Sequence, residues 1–85
     1  MTQAPSADAL LDNRSTPCAV GLIRAAERMT AMPAGSTLEI WSRDRFAPME
    51  IPLWAAHDGH EIISCTRGGR WPRRFFAFVV RRPDN

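Results

Sequence analysis

The hydrophobic period of the chain changes at Pro33, and this change constrains the fold more than any other feature. Before it, apolar residues recur at the spacings of one helix face, namely Leu22, Ile23, Ala26, Met29 and Met32. After it, residues 37–43 alternate apolar and polar side chains as a half-buried strand does, with Leu38 and Ile40 on one face. A helix that leads directly into a strand is typical of α/β folds.

A second helix is predicted over residues 50–59. Pro52 suits its first turn, where the missing N–H needs no partner, and Gly59 suits a left-handed cap at its C-terminus. A flexible polar tail is predicted over residues 1–9 and a single domain over residues 10–85. A short first strand begins at that boundary, over residues 9–12.

Residues 61–66 and 73–82 are predicted as the two strands of a hairpin. Gly68 and Gly69 lie between them, and paired glycines supply the positive φ angles of a tight turn. The predicted order is therefore β-α-β-α-β-β. Two helices cannot cover both faces of such a sheet, so we expect a two-layer α/β sandwich with a four-stranded mixed sheet and both helices on one face.

The composition argues against several classes of function. The chain has eleven basic residues, all arginine, and a formal net charge of +2, which by itself does not imply nucleic acid. Without lysine, no side-chain amine is present for Schiff-base chemistry. Cys18 and Cys65 lack a C-x-x-C pattern, which predicts free thiols and no metal site. No apolar run is long enough to span a bilayer, so a cytoplasmic protein is expected.

Cys18 lies at the predicted start of the first helix. Thr16 is expected to be the N-cap residue and Pro17 the first helical residue. The unpaired N–H groups and the helix dipole of a first turn favour an anion, which predicts an activated thiolate at Cys18 and a stabilised persulfide on it. The alternative is a small buried side chain, a common environment for free cysteine.

Several short motifs follow one another in a specific order. Leu11-Asp12 precedes Cys18 by a few residues, and the later motifs are Pro33-Ala34-Gly35-Ser36-Thr37-Leu38, Asp44, Ile51-Pro52, Trp54-Ala55 and Gly59-His60-Glu61. Over residues 11–82 this pattern resembles the TusA-like (SirA-like) family of small sulfur-carrier proteins, or sulfurtransferases. That family has Cys-Pro-x-Pro at the first helix, whereas this chain has Ala19 and Gly21 at the two proline positions and Pro17 before the cysteine.

The resemblance implies a sulfur carrier that accepts sulfane sulfur as a persulfide on Cys18 and passes it to a cysteine of a partner protein. It implies a donor of the cysteine desulfurase or rhodanese type, an acceptor with a reactive cysteine, and no cofactor. We expect a monomer, since the sulfur must reach successive partners. Gly21, which costs about 1 kcal/mol relative to alanine in a helix interior, is expected to loosen the first turn.

Arginines on the last hairpin, together with two after the second strand, form a candidate docking patch for an acidic partner. Its members are Arg43, Arg45, Arg67, Arg70, Arg73 and Arg74. A solvated strand edge protected from aggregation is the simpler interpretation. The competing function is a non-catalytic RNA- or protein-binding module that works through the arginine-rich C-terminal hairpin. If RNA is the ligand, Phe75, Phe76 and Phe78 are candidates for stacking on its bases.

Three further side chains are candidates for chemistry. Cys65 is predicted to be a core residue that shares a face with Ile63, with a resolving thiol as the alternative. His57 and His60 lie on either side of a helix end without a recognised metal-ligand spacing. We therefore expect no metal, and a capping role for His57 near the helix C-terminus.

Overall fold

The computed structural model of the chain describes residues 7–83, without the side chain of residue 18. The elements are β1 (Ala9–Asn13), α1 (Cys18–Ala31), β2 (Thr37–Ser42), α2 (Ala47–Asp58), β3 (Glu61–Gly68) and β4 (Phe75–Arg81). Their order confirms the predicted β-α-β-α-β-β arrangement. Within residues 7–83, neither helix has the length and apolar content needed to cross a membrane.

The four strands form one mixed sheet in the order β1-β2-β4-β3. β1 is parallel to β2, and β4 is antiparallel to both of its neighbours. β1, β2 and β3 therefore run in one direction and β4 in the opposite one, so the first three strands end at the edge of the sheet where β4 begins. Since α1 follows β1 and α2 follows β2, both helices begin at this edge. We call this edge the upper edge.

The core lies between the sheet and the two helices, as a two-layer sandwich requires. Leu38 and Ile40 are buried, as the alternation predicts. From β4, Phe78 and Val80 face the same layer, and the helices add small side chains together with Met29 and Ile51. The predicted mixed sheet and helical layer are confirmed.

The buried face of α1 differs from the prediction at Ile23. This side chain is 61% exposed, whereas the buried row consists of Gly21, Ala25 and Met29. Leu22 and Ile23 are neighbours, so they lie about 100° apart on the helix and cannot both face the sheet. Gly21 and Ala25 add little bulk to this row, so this part of α1 can lie close to the strands.

The second helix begins three residues earlier than predicted. A side-chain oxygen of Asp44 accepts the N–H of Phe46 at 2.8 Å, and the Asp44 carbonyl accepts the N–H of Ala47 at 3.0 Å, so the turn starts there. Pro52 therefore lies inside α2 and not in its first turn. Gly59 caps the helix with φ 79°, as predicted.

The hairpin connection is longer than the predicted tight turn. β3 continues to Gly68, which pairs with Phe75, and residues 69–74 connect the strands. Of the two glycines, Gly69 has a positive φ of 72° and Gly68 does not. Pro72 lies within the connection and has no N–H for a ladder bond, so pairing resumes only after it.

Cys65 is exposed, so the prediction of a core residue is wrong. It lies opposite the buried Phe78 and therefore on the helical side of the sheet. However, β3 is an edge strand, and residues 65–67 are all exposed. The ladder also shifts register between Ile62 and Ser64, so Ile63 and Cys65 do not follow a simple alternation.

Candidate functional site

The first helix begins one residue later than predicted. Pro17 is the N-cap residue, with φ −57° and an extended ψ of 147°, and Cys18 is the first helical residue. The first helical hydrogen bond runs from the N–H of Gly21 to the carbonyl of Pro17, at 2.8 Å. Thr16 is therefore not the cap. Its hydroxyl accepts a hydrogen bond from Arg24 at 3.0 Å instead.

Among the side chains that the structure describes, none caps this helix start, and the first turn has no acidic residue. The N–H groups of residues 18–20 precede the first helical hydrogen bond, so the helix itself provides no partner for them. Together with the helix dipole, such groups attract an anion. The predicted catalytic group, the thiol of Cys18, lies outside the described side chains, while its backbone is the first residue of α1.

Asn13 joins the end of β1 to the first turn of α1. It is only 4% exposed, and its Nδ2 donates to the carbonyl of Gly21 at 3.1 Å. A Cβ on residue 21 would lie 2.8 Å from that nitrogen, which is closer than real contacts allow. The close approach of Asn13 therefore explains why residue 21 is glycine. The looser first turn expected from this glycine stays a prediction.

Four of the six predicted docking arginines line one cleft at the upper edge. This arginine cleft has a volume of about 310 Å³ and is lined by Arg43, Arg45, Arg67, Arg74, Phe75 and Phe76. A neighbouring cleft of about 210 Å³ is lined by Asp12, Arg14, Ser15, Arg43 and Arg73. Arg70 lies in the β3–β4 connection and is not among the lining residues of either cleft.

Arg14 is a site residue that the sequence analysis missed. Its guanidinium lies 4.8 Å from the ring centre of Trp41 and 5.2 Å from that of Phe75. It also pairs with Asp12 at 2.7 Å, and the hydrogen bonds from Arg14 lower the pKa of the Asp12 carboxyl. These contacts order the segment between β1 and Cys18. No local sequence pattern reveals them, because Phe75 is distant along the chain.

The two histidines lie near the other end of α2. The ring of exposed His57 is 3.0 Å from a carboxylate oxygen of Asp58. His60 is partly buried against Trp54, with ring centres 5.2 Å apart. Burial lowers the pKa of His60, and Arg82 lowers it further, while Asp58 acts in the opposite direction. Within residues 7–83 there is no group of three or more metal-ligating side chains.

The partly buried imidazole of His60 predicts a pH-dependent stability. The pKa of His60 is below 6.5 in the folded protein, so the unfolded chain binds more protons below that pH. We therefore expect the free energy of unfolding, measured with urea, to fall between pH 7 and pH 5. His60→Phe should remove this histidine's contribution. His57→Gln, which changes the exposed histidine, should retain it, and equal slopes for wild type and His60→Phe would contradict the prediction.

The exposure of Cys65 predicts ready alkylation of the folded protein. In a Cys18→Ser variant, N-ethylmaleimide should modify Cys65 at nearly the rate of a thiol in an unfolded peptide, because this residue is exposed. The measurement is mass spectrometry at timed intervals, without denaturant and with it. Protection that disappears only in denaturant would show that this edge is covered.

These observations define a small α/β domain. Its first helix begins with a cysteine, and arginines line the upper edge of the sheet beside it. The family model described as Sulfurtransferase TusA matches residues 9–82. The chain belongs to this family, so the predicted resemblance is confirmed. The relatives include the Bacillus subtilis (strain 168) protein named "Putative sulfur carrier protein YrkF", which is 29% identical over 66 residues. That match covers 78% of this chain and 36% of the relative, so the chain spans about a third of its length.

The comparisons support a sulfur-carrier role. The alternative inferred from the arginine-rich hairpin, a non-catalytic RNA- or protein-binding module, gains no support from them.

Proposed function

We propose that this chain accepts a sulfane sulfur as a persulfide on Cys18 and passes it to a cysteine of a partner protein. The observation that carries the proposal is the start of α1, where Cys18 is the first helical residue. None of the described side chains caps this first turn, and it has no acidic residue. Unpaired amides there stabilise a thiolate, and a persulfide anion equally.

Transfer needs only two cysteines and an exchange of one bond. The Cys18 thiolate attacks the outer sulfur of a donor persulfide. A new S–S bond forms on Cys18, the donor's S–S bond breaks, and the donor cysteine leaves as a thiolate. The sulfane sulfur moves with its proton, and no external oxidant or reductant is consumed. The same step delivers the sulfur when an acceptor thiolate attacks the Cys18 persulfide.

The proposed partners are those that the family resemblance implies, and this chemistry is compatible with them. The donor is a protein that carries a cysteine persulfide, of the cysteine desulfurase or rhodanese type, and the acceptor has a reactive cysteine. The chain acts as a cytoplasmic, monomeric co-substrate that shuttles between them. Five of the six predicted docking arginines, all except Arg70, line the two clefts at the edge where α1 begins, and both partners would approach Cys18 from that edge.

The test is the position of the added sulfur. After incubation with glutathione persulfide, mass spectrometry of the digested protein should find one extra sulfur atom on the peptide that contains Cys18, removable by dithiothreitol. The peptide with Cys65 is the internal control, because that thiol is exposed but lies in a strand. Sulfur on Cys65 alone, or on neither cysteine, would overturn the proposal.

A further inference from the structure

We propose that the arginine cleft binds an acidic segment of the sulfur-transfer partner, through carboxylates that pair with its guanidinium groups. The identification of that partner rests on the proposed function. The cleft itself is argued from its charge, its apolar floor and its position.

The first argument is uncompensated charge. The four arginines of the cleft are exposed, and within the described part of the chain none of them forms a salt bridge with a carboxylate. Arg43 donates instead to the carbonyl of Pro72, at 3.3 Å. The nearby Asp44 carboxylate accepts the N–H of Phe46 at the start of α2. Cations gathered around one cavity attract anions, and arginine pairs with carboxylates in bidentate geometry.

The second argument is the apolar floor. Phe75 and Phe76 line the cleft, and the guanidinium of Arg67 lies 5.7 Å from the ring centre of Phe76. A stacked guanidinium is held in place and loses less freedom when it binds. A volume of about 310 Å³ exceeds what a compact inorganic anion fills, whereas carboxylate side chains with their aliphatic stems occupy such a space.

The third argument is continuity with the start of α1. Arg43 lines both the arginine cleft and the neighbouring cleft, which also includes Arg14, Ser15 and Arg73. The basic band therefore runs from the end of edge strand β3 to the segment that precedes Cys18. An extended chain follows such a band, at about 3.3 Å per residue, better than a compact anion does. A partner held there has its neighbouring residues at the proposed sulfur site.

The experiment measures binding of a short fluorescent peptide of glutamate, glycine and phenylalanine by anisotropy. The control peptide has glutamine at each glutamate position. We expect only the acidic peptide to bind, with an affinity that falls as salt is added. Arg45→Glu and Arg67→Glu should each weaken binding by about tenfold. Arg28→Glu, the same charge change at an exposed position in the last turn of α1, should weaken it by less than about twofold.

Four results would overturn the proposal. Equal weakening by Arg28→Glu would show a response to net charge alone. Displacement of the peptide by low millimolar sulfate would indicate a site for compact anions. A uridine oligonucleotide that binds more tightly than the peptide, and that Arg45→Glu and Arg67→Glu no longer bind, would indicate a nucleic-acid site. If the Cys18→Ser protein binds the peptide but glutathione persulfide adds no sulfur to the wild-type protein, only the proposed function is refuted. Loading without peptide binding refutes only the cleft.

Discussion

Replacing Cys18 by serine is expected to abolish sulfur transfer, whereas Cys65→Ser should transfer at a rate within about twofold of wild type. A serine hydroxyl stays protonated near neutral pH and cannot carry a sulfane sulfur as a cysteine does. The variant can therefore neither accept the sulfur nor deliver it. Cys65 lies within the edge strand β3 and not in the first turn of a helix. The measurement is sulfur transfer from a donor persulfide to a thiol acceptor, followed by mass spectrometry.

The two serine variants are matched, because each removes one thiol and changes little volume. Circular dichroism and urea unfolding should show that both retain the fold, so that loss of transfer reports on chemistry. Transfer that persists in Cys18→Ser and disappears in Cys65→Ser would assign the carrier thiol to β3. Loss in both variants would instead support the resolving-thiol alternative for Cys65.

The order of elements was predictable because it depends on local patterns. The alternation around Leu38 and Ile40 predicts a strand with one buried face, and both side chains are buried. Gly59 ends a helix through its own backbone preference, which the residue type reveals directly. With an 85-residue chain, these elements leave few arrangements other than a two-layer sandwich.

The errors arise where burial depends on neighbours that are distant in sequence. The pattern around Cys65 fits a central strand as well as an edge strand, and only the order β1-β2-β4-β3 places it at the edge. Ile23 is apolar and lies on a helix, yet the small residues of α1 face the sheet. The Arg14 contacts with Trp41 and Phe75 join three segments that no local spacing relates.

The substitution Gly21→Ala is expected to destabilise the protein, although alanine is the better helix former. The new Cβ would lie 2.8 Å from Nδ2 and 3.1 Å from Cγ of buried Asn13. If Asn13 moves, its hydrogen bond to the carbonyl of residue 21 is lost, and a buried unpaired donor costs about 1–3 kcal/mol. This exceeds or matches the gain of about 1 kcal/mol in helix propensity. We expect urea unfolding to show a net loss of about 1 kcal/mol.

The same substitution should have the opposite sign when Asn13 is absent. In an Asn13→Ala background the new methyl group meets no amide, so Gly21→Ala should stabilise by up to about 1 kcal/mol through helix propensity. The four proteins form a double-mutant cycle whose coupling energy reports the close approach of β1 and α1. If Gly21→Ala stabilises both backgrounds equally, Asn13 does not restrict residue 21. The glycine at this position, where the family has proline, would then need an explanation other than packing.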